Sequence, residues 1–443
     1  MSPRRLMLLA LGLLVGVLGF VVLPLSTIAY DLPINYAAAW DLRHGGHLYD
    51  PQRLEEVARQ LGLPRGPLPY TTLYASYLQP PLSAILTIPF TLLPYDAAKA
   101  AFLATNLGLL AIAMRLATRA ASWRAMVQTP AFGLVAIALA LGFRELVMTL
   151  HLGQINIWVL ACLAGSLWAV DRRLWWLVGL LLATATGLKL LPGVGILWLL
   201  ARGHMRAAVW TVGLLAAFFV VTLPVLGFDT YVRYYYEVLL PTSQGSAHFL
   251  NASLLADVMR MGLPREVWTS PEVAPSGEWF VVVRALLVVV GVAAILWVLW
   301  VVRWRGEVEQ PERFTPTLTL PHRGGGDETR VGRDSSAGDP WLELGLVLTL
   351  ALLFSPIAWE HYIVWLLFVV PPAVRAVTGR LMAREGWLLF GVVWVLLNVP
   401  TEAIVGSGAP VVFTWVRTVG LVVGAGVLVV AATRRSVRAE GGA

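Results

Sequence analysis

The chain has 443 residues, of which 58% are hydrophobic and only 13% are charged, and its mean hydropathy is +0.72. Soluble domains carry about 25% charged residues, so this composition excludes a soluble protein and indicates an integral membrane protein. The formal net charge is +7, but the basic residues cluster at the ends of apolar segments, a distribution that argues against nucleic-acid binding. The single cysteine, Cys162, cannot form a disulfide within the chain.

The apolar segments predict an all-α polytopic membrane protein with about 12 transmembrane helices. The first segment, residues 6–30, follows Arg4 and Arg5 and is predicted to be a retained helix with a cytosolic amino end. Residues 31–79 then form a large first extracytoplasmic loop, in which residues 51–63 have the spacing of an interfacial amphipathic helix. The remaining apolar segments cover residues 80–93, 97–117, 130–150, 155–170, 174–188, 191–201, 207–226, 279–302, 341–354, 361–377, 387–399 and 410–433.

The arginine clusters predict which loops face outward. Residues 31–79 follow a helix with a cytosolic amino end and are predicted to lie outside a cytoplasmic (inner) membrane, which we take to be bacterial. If the clusters from Arg119 onward are cytosolic, residues 228–278 lie outside as well. Segments 174–188 and 191–201 are too short for a core of ~30 Å, so Lys189 between them is predicted at the tip of a half-depth hairpin in a hydrated cavity. Segment 80–93 either spans the membrane or is re-entrant.

Residues 306–340 show no periodicity and little apolar content. They are predicted to form a disordered cytosolic linker, because such a segment cannot bury enough apolar surface to fold. This linker divides an amino-terminal membrane module, residues 1–305, from carboxyl-terminal transmembrane helices, residues 341–443.

Polar residues that hydropathy does not explain collect on the predicted outer side. Asp31 directly follows the first apolar segment, where a partly desolvated carboxylate is suited to accept a proton, although a solvated helix cap has the same sequence. Lys189 needs an anionic partner such as a lipid phosphate unless it snorkels to the surface. Gln154 and Asn156 could bind sugar hydroxyls or cap backbone groups.

Two charged clusters leave alternatives open. Arg144 is a candidate phosphate ligand, or it pairs with the adjacent Glu145. Trp359, Glu360 and His361 stand at a proline-broken helix end, a combination typical of a sugar or phosphate site, although an interfacial aromatic belt also explains the tryptophan. His44 and His47 have no third ligand nearby in the sequence, and no glycine-rich phosphate loop occurs, so no metal site and no cofactor are predicted.

Several short motifs occur in a familiar order. They are Asp31 to Tyr36, Leu48 to Pro51, Pro80–Pro81, Asn106, Gly153 to Asn156, Leu188 to Pro192, Asn251 to Leu254, and Ser355 to His361. This order resembles glycosyltransferase family 87, the membrane mannosyltransferases of the GT-C superfamily that use a polyprenyl-phosphate sugar. Two departures, Gln79 before the proline pair and Glu360 before His361, concern the sugar and the acceptor more than the reaction.

The resemblance implies a GT-C fold and an inverting glycosyltransferase. It would move a hexose, with mannose favoured, from a polyprenyl-phosphate donor in the membrane lipids to a lipid or glycan acceptor at the outer face, without a metal. Asp31 would be the general base, and Lys189, His361 and Arg144 would bind the donor phosphate. The residues expected to contact the sugar or the acceptor are Asn35, Tyr36, Gln154, Asn156, Asn251, Trp359 and Glu360.

Two other functions compete with this one. A transporter or lipid flippase of envelope precursors should carry polar residues at several depths, whereas the inner halves of most predicted helices are apolar. A scaffold for envelope assembly predicts that Asp31 is dispensable.

Overall fold

In the computed structural model, the described residues are 31–64, 76–120, 143–269, 277–308, 339–373, 383–399 and 415–433. Within these ranges the chain is helical, with one isolated antiparallel bridge between Asn251 and Trp359. The all-α prediction is confirmed for this part of the chain. The predicted first helix, residues 6–30, and the predicted linker, apart from its two ends, lie outside the described residues.

Most of the amino-terminal helices lie within or overlap the predicted segments. They are α1 Asp31–Arg43, α2 Pro51–Gln60, α3 Pro81–Thr87 with a 3₁₀ extension Ile88–Leu92, α4 Tyr95–Ala120, α5 Arg144–Leu152, α6 Asn156–Asp171, α7 Trp175–Leu188 and α8 Val194–Ala201 with a 3₁₀ turn Leu191–Gly193 before it. The helix predicted within residues 51–63 is α2, where Asp50 caps the first turn by accepting a hydrogen bond from the Arg53 amide at 3.0 Å. Asp31 lies in a helix, which the sequence pattern did not predict.

The carboxyl-terminal helices include the longest of the described chain. They are α9 Met205–Arg233, a π-helical turn Tyr234–Leu239, α10 Leu240–Thr242, α11 Leu254–Gly262 with a 3₁₀ turn Arg265–Thr269, α12 Glu278–Val308, α13 Pro340–Phe354, a 3₁₀ helix Glu360–Val369, α14 Ala383–Asn398 and α15 Val416–Thr433. Helix α9 bends sharply at Gly227, whose φ of +72° is accessible mainly to glycine. The predicted segment 207–226 therefore ends at this bend.

Three described helices are long and apolar enough to cross a membrane: Tyr95–Thr118, Met205–Thr242 and Glu278–Trp304. Their outward side chains include Val221, 72% exposed, and Val289, 65% exposed. Such exposure of aliphatic side chains is expected for surfaces that contact lipid tails. Several apolar helices are shorter, with 10–17 residues, so the predicted count of about 12 crossings is not established by helix length.

The core centres on α6, which packs against α4, α7 and the 3₁₀ helix Glu360–Val369. Most of its residues are buried, including the small residues Ala161, Ala164 and Gly165. Small side chains let helix backbones approach closely, which is the main source of packing energy between helices in a membrane. The amino end of α6 and the carboxyl end of α7 thereby come to lie at the same end of the bundle.

Candidate active site

The end of α5 places Gln154 against Asp31. Gly153 follows α5 with a φ of +69°, and a Cβ atom at this position would lie 2.5 Å from the Cβ atom of Leu32. Glycine therefore permits both the left-handed backbone and the close approach to the start of α1. As a result, the Gln154 amide Nε2 donates a hydrogen bond to the Asp31 carboxylate.

Lys189 is held at the carboxyl end of α7. The Ser83 hydroxyl of α3 donates to the Leu188 carbonyl at 3.1 Å, which fixes the helix end next to the lysine. The side chain is buried, with 7% exposure, and its Nζ atom donates to the Tyr362 hydroxyl at 3.1 Å. The same Nζ atom lies 4.6 Å from the centre of the Tyr362 ring, in a cation–π contact. The Lys189 ammonium and the Asp31 carboxylate attract each other electrostatically.

His361 lies beside this pair at the start of the 3₁₀ helix. The Thr149 hydroxyl of α5 donates to the His361 carbonyl at 3.3 Å, and the imidazole is 5.0 Å from the Tyr362 ring. His361 is within electrostatic range of Lys189. The structure thus gathers a carboxylate, an ammonium and an imidazole from three distant parts of the sequence. Sequence reasoning missed Tyr362, although it directly follows His361, because nothing in the sequence places its ring against Lys189.

The environment of Asp31 alters its acidity. Burial raises the pKa of the Asp31 carboxyl, while the hydrogen bond from Gln154 and the charge of Lys189 lower it to a smaller extent. The net pKa is above the ordinary aspartate value. A carboxylate with a raised pKa is a stronger base, which suits it to take a proton from a hydroxyl group.

An apolar cavity of about 230 Å³ opens next to Lys189. Its lining residues include Leu190, Val238, Trp359 and Tyr362, and Lys189 is the single charged residue among those that line it. Trp359 thus lies at the cavity, as a sugar-contacting residue would. An apolar cavity with one ammonium is suited to a ligand that joins a hydrocarbon chain to an anionic group.

Buried amides surround the carboxylate. Asn35, one helical turn after Asp31, is buried and its Nδ2 atom has no hydrogen-bond partner within the described residues. The same holds for Oε1 of Gln154 and for both amide atoms of Asn156. Asn106 holds this region together, since its side chain donates to the Gln154 carbonyl at 3.4 Å and accepts from Trp158 Nε1 at 2.8 Å. Unsatisfied buried amides are costly without a ligand or water, so they are candidates to bind hydroxyl groups.

Comparison with known proteins identifies the family. The model of "Glycosyltransferase family 87" matches residues 77–318, which is more than half of the chain. The chain belongs to glycosyltransferase family 87. The family membership predicted from the motif order is therefore confirmed, and the protein is a membrane glycosyltransferase.

Curated relatives of this family 87 protein cover most of its length. A Mycobacterium tuberculosis (strain CDC 1551 / Oshkosh) protein is 27% identical over 372 residues, 83% of this chain and 71% of the relative. A Mycolicibacterium smegmatis (strain ATCC 700084 / mc(2)155) protein is 26% identical over 431 residues, 94% of this chain and 88% of the relative. Both are named polyprenol-phosphate-mannose-dependent alpha-(1-2)-phosphatidylinositol pentamannoside mannosyltransferase.

Arg144 and Glu360 belong to a cluster of four charged residues in this family 87 protein. Arg144 Nη1 lies 2.7 Å from Glu360 Oε2 and 3.5 Å from Glu145 Oε1, while Arg417 pairs with Glu145 at 3.1 Å and also with Glu360. A buried charge needs an opposite charge nearby, and these four satisfy one another. The structure therefore gives Arg144 and Glu360 a structural role within this cluster, and their predicted phosphate and sugar contacts stay predictions. The alternative that Arg144 pairs with Glu145 is confirmed.

Tyr36 is tied to the fold by its hydroxyl. That hydroxyl donates to the Leu93 carbonyl at 2.7 Å, and the ring packs edge-on against Tyr95 with centres 5.5 Å apart. These contacts fasten α1 to the segment that follows α3. Tyr36 thus stabilises the fold. The preceding residue, Asn35, has the amide Nδ2 atom that lacks a hydrogen-bond partner within the described residues.

Asn251 is likewise a structural clamp. Its Nδ2 atom donates to the carbonyls of Ser246 at 2.9 Å and Pro356 at 3.2 Å. Its Oδ1 atom accepts from the amides of Ser253 at 3.2 Å and Ala358 at 2.9 Å. With both its donor and its acceptor atoms engaged by backbone, the Asn251 side chain positions the loop before Trp359, and its predicted contact to sugar hydroxyls stays a prediction.

This clamp makes Asn251→Ala a stability variant. The substitution leaves four backbone groups without their partners, and each buried unsatisfied group costs about 1–3 kcal/mol, so we expect a clear fall in the unfolding temperature in detergent. Thr118→Ala is the control, since its hydroxyl is exposed and bonds only to the Arg115 carbonyl of its own helix. An Asn251→Ala protein as stable as wild type would contradict the clamp.

Proposed function

We propose that the protein transfers a mannosyl group from a polyprenyl-phosphate-mannose donor to a hydroxyl of a lipid or glycan acceptor, with inversion, at the outer face of the membrane. The observation that carries this proposal is the electrostatic interaction of Asp31 with Lys189, which lines an apolar cavity. The names of the curated relatives support the donor, and their phosphatidylinositol mannoside acceptors support a glycolipid acceptor.

The chemistry is a single displacement. The acceptor oxygen attacks the anomeric carbon while the bond from that carbon to the phosphate oxygen breaks, and the bonding electrons stay on the phosphate. The hydroxyl proton moves to the Asp31 carboxylate, and the products are a mannoside and polyprenyl phosphate. Attack from the face opposite the leaving group inverts the anomeric configuration.

The departing phosphate gains negative charge, which Lys189 and His361 are placed to stabilise. Tyr362 holds the Lys189 ammonium through the hydrogen bond and the ring contact, so the charge needs little reorganisation during the reaction. Asn35, Gln154 and Asn156 offer their unpartnered amide atoms to the sugar or acceptor hydroxyls, with Trp359 at the cavity wall.

The surface next to the cavity suits a polyprenyl tail. Leu190, which lines the cavity, is 44% exposed, and Leu197 on α8 is 45% exposed. Helix α8 packs against α9 and α12, the long helices whose outer faces are apolar. An isoprenoid chain lying over these leucines would connect the cavity to the lipid without crossing a polar barrier.

The direction of α6 and α7 supports an outward-facing site. Both helices have the site at one end, while Arg172 and Arg173 lie in the turn that joins their other ends. Clustered arginines favour the cytosolic side, so the opposite end, with Asp31 and Lys189, faces outward under the positive-inside rule.

Purified protein tests the reaction directly. In nanodiscs with labelled polyprenyl-phosphate-mannose and phosphatidylinositol mannosides, we expect a labelled glycolipid whose new linkage has the anomeric configuration opposite to that of the donor. Retention of configuration would refute the displacement. If no transfer occurs but labelled donor crosses the bilayer of sealed liposomes, the transporter alternative replaces this proposal.

The raised pKa of Asp31 predicts the acid limb of the pH profile. Activity requires the ionised carboxylate, so kcat/KM should fall as pH decreases through the Asp31 pKa, and this fall should come at higher pH than about 3.9, the ordinary aspartate value. The residual activity of Asp31→Asn should lack this limb. A limb of unchanged position in that variant would assign the titration to another group.

A further inference from the structure

A second cavity, of about 300 Å³, lies on the other side of the π-helical turn. It is lined by Tyr49, Pro51, Leu54, Ser76, Tyr77, Glu237 and Val238. Val238 lines both this cavity and the one beside Lys189. Tyr234, which lines the first cavity, packs on Tyr49, which lines the second, with ring centres 5.5 Å apart. The two cavities therefore adjoin each other at Val238 and at the contact between Tyr234 and Tyr49.

The lining of the second cavity suits a neutral saccharide. The Tyr49 hydroxyl donates to the Gln79 carbonyl at 2.7 Å and the Tyr77 hydroxyl to the Pro80 carbonyl at 3.4 Å, which fixes both rings in place. Aromatic rings pack against the C–H faces of sugars, while the Glu237 carboxylate and the Ser76 hydroxyl can bond to sugar hydroxyls. No lining residue is a cation, so a phosphate group would lack a counter-charge there.

We propose that this cavity binds a sugar of the acceptor that lies next to the one receiving the mannosyl group. The inference rests on the proposed transferase function and extends it by naming an acceptor subsite. The π-helical turn would then contact both substrates, since Tyr234 lines the cavity beside Lys189 and Glu237 lines the second cavity. The turn is π-helical, a distortion that occurs frequently at functional sites.

The structure offers a matched pair of variants on this helix. Glu237 and Asp229 both pair with Arg233, at 3.5 Å and 2.7 Å, and both carboxylates are substantially exposed. Of the two, Glu237 lines the second cavity, and Asp229 lines neither cavity. Glu237→Gln and Asp229→Asn therefore remove the same kind of ion pair, but only Glu237→Gln changes the proposed subsite.

The test compares octyl mannoside with octyl dimannoside as acceptor probes. We expect wild type to have a lower KM for the dimannoside, because its second sugar reaches the cavity. Glu237→Gln should raise that KM by about ten-fold, the scale of one charge-assisted hydrogen bond, and leave the KM for octyl mannoside and for the donor unchanged. Asp229→Asn should match wild type with both acceptors.

Leu54→Trp supplies an independent test by filling the cavity, and it should abolish the preference for the dimannoside. Leu61→Trp, on the same outer segment but outside the cavity lining, is its control.

Calorimetric binding of octyl dimannoside repeats the comparison without turnover. Wild-type binding of the dimannoside by Glu237→Gln would overturn the subsite, as would a KM that follows alkyl-chain length instead of sugar number. If the variants show the expected binding losses but wild type transfers no mannose, the proposed function fails and the saccharide subsite stands.

Discussion

Replacing Asp31 with asparagine should lower kcat by about 10²–10⁴-fold, the usual contribution of a general base. The asparagine has the same shape and can still accept the hydrogen bond from Gln154 Nε2, so the local structure should persist. The amide cannot take the acceptor proton at neutral pH. The measurement is single-turnover transfer from labelled polyprenyl-phosphate-mannose, with donor binding determined separately.

Asp41→Asn is the comparison for this variant. Asp41 is also a buried carboxylate of α1, but it pairs with Arg53 at 3.1 Å, whereas Asp31 interacts with Gln154 and Lys189. Its substitution should affect stability more than the chemical step. If Asp31→Asn turned over as fast as wild type with saturating substrates, Asp31 would not be the base, and the scaffold alternative would gain support.

Replacing Lys189 with methionine should lower kcat by about 10²–10³-fold, comparable to the loss of one donor that stabilises a developing negative charge. Methionine retains much of the length and the apolar stem, so it suits a buried position at which the charge itself is to be removed. Because the ammonium would contact the phosphate before and during the reaction, donor affinity should fall together with kcat. Transfer assays at several donor concentrations separate the two effects.

The chain provides a natural control for this variant, since Lys99 is the single other lysine in the sequence. Lys99 lies on α4 and interacts with Asp96, outside the lining of the cavity. Lys99→Met should leave both donor affinity and kcat near wild type. Equal losses in Lys99→Met and Lys189→Met would indicate a general effect of charge on folding or membrane insertion, and would remove Lys189 from the reaction.

The residues of the proposed site come from distant parts of the chain. Asp31 lies in α1, Lys189 follows α7, and His361 is the second residue of a 3₁₀ helix, so three separate elements must be held in register. Two buried networks provide this: the four-charge cluster of Arg144, Glu145, Glu360 and Arg417, and the Asn251 clamp on the loop before Trp359. Neither needs to contact substrate to matter for activity.

Much of the architecture followed from the sequence alone. The apolar segments predicted most of the described helices to within a few residues, because a helix in lipid must satisfy its backbone internally and its length is read from hydropathy. The half-depth position of Lys189, inferred from two segments too short to span, stays a prediction. Family membership followed from the order of motifs around Asp31, Gln154 and Lys189.

Only the tertiary structure decided which polar residues meet. Arg144, Glu360 and Asn251 carry the same chemical groups as sugar or phosphate ligands, and a sequence cannot show that each is already satisfied by a buried partner. Tyr362 was overlooked for the opposite reason, because an aromatic ring at a helix end resembles an interfacial anchor until Lys189 is seen against it. Composition and hydropathy determine whether a segment lies in lipid or in water. The partners of a buried polar group depend instead on contacts between residues that are distant in the chain.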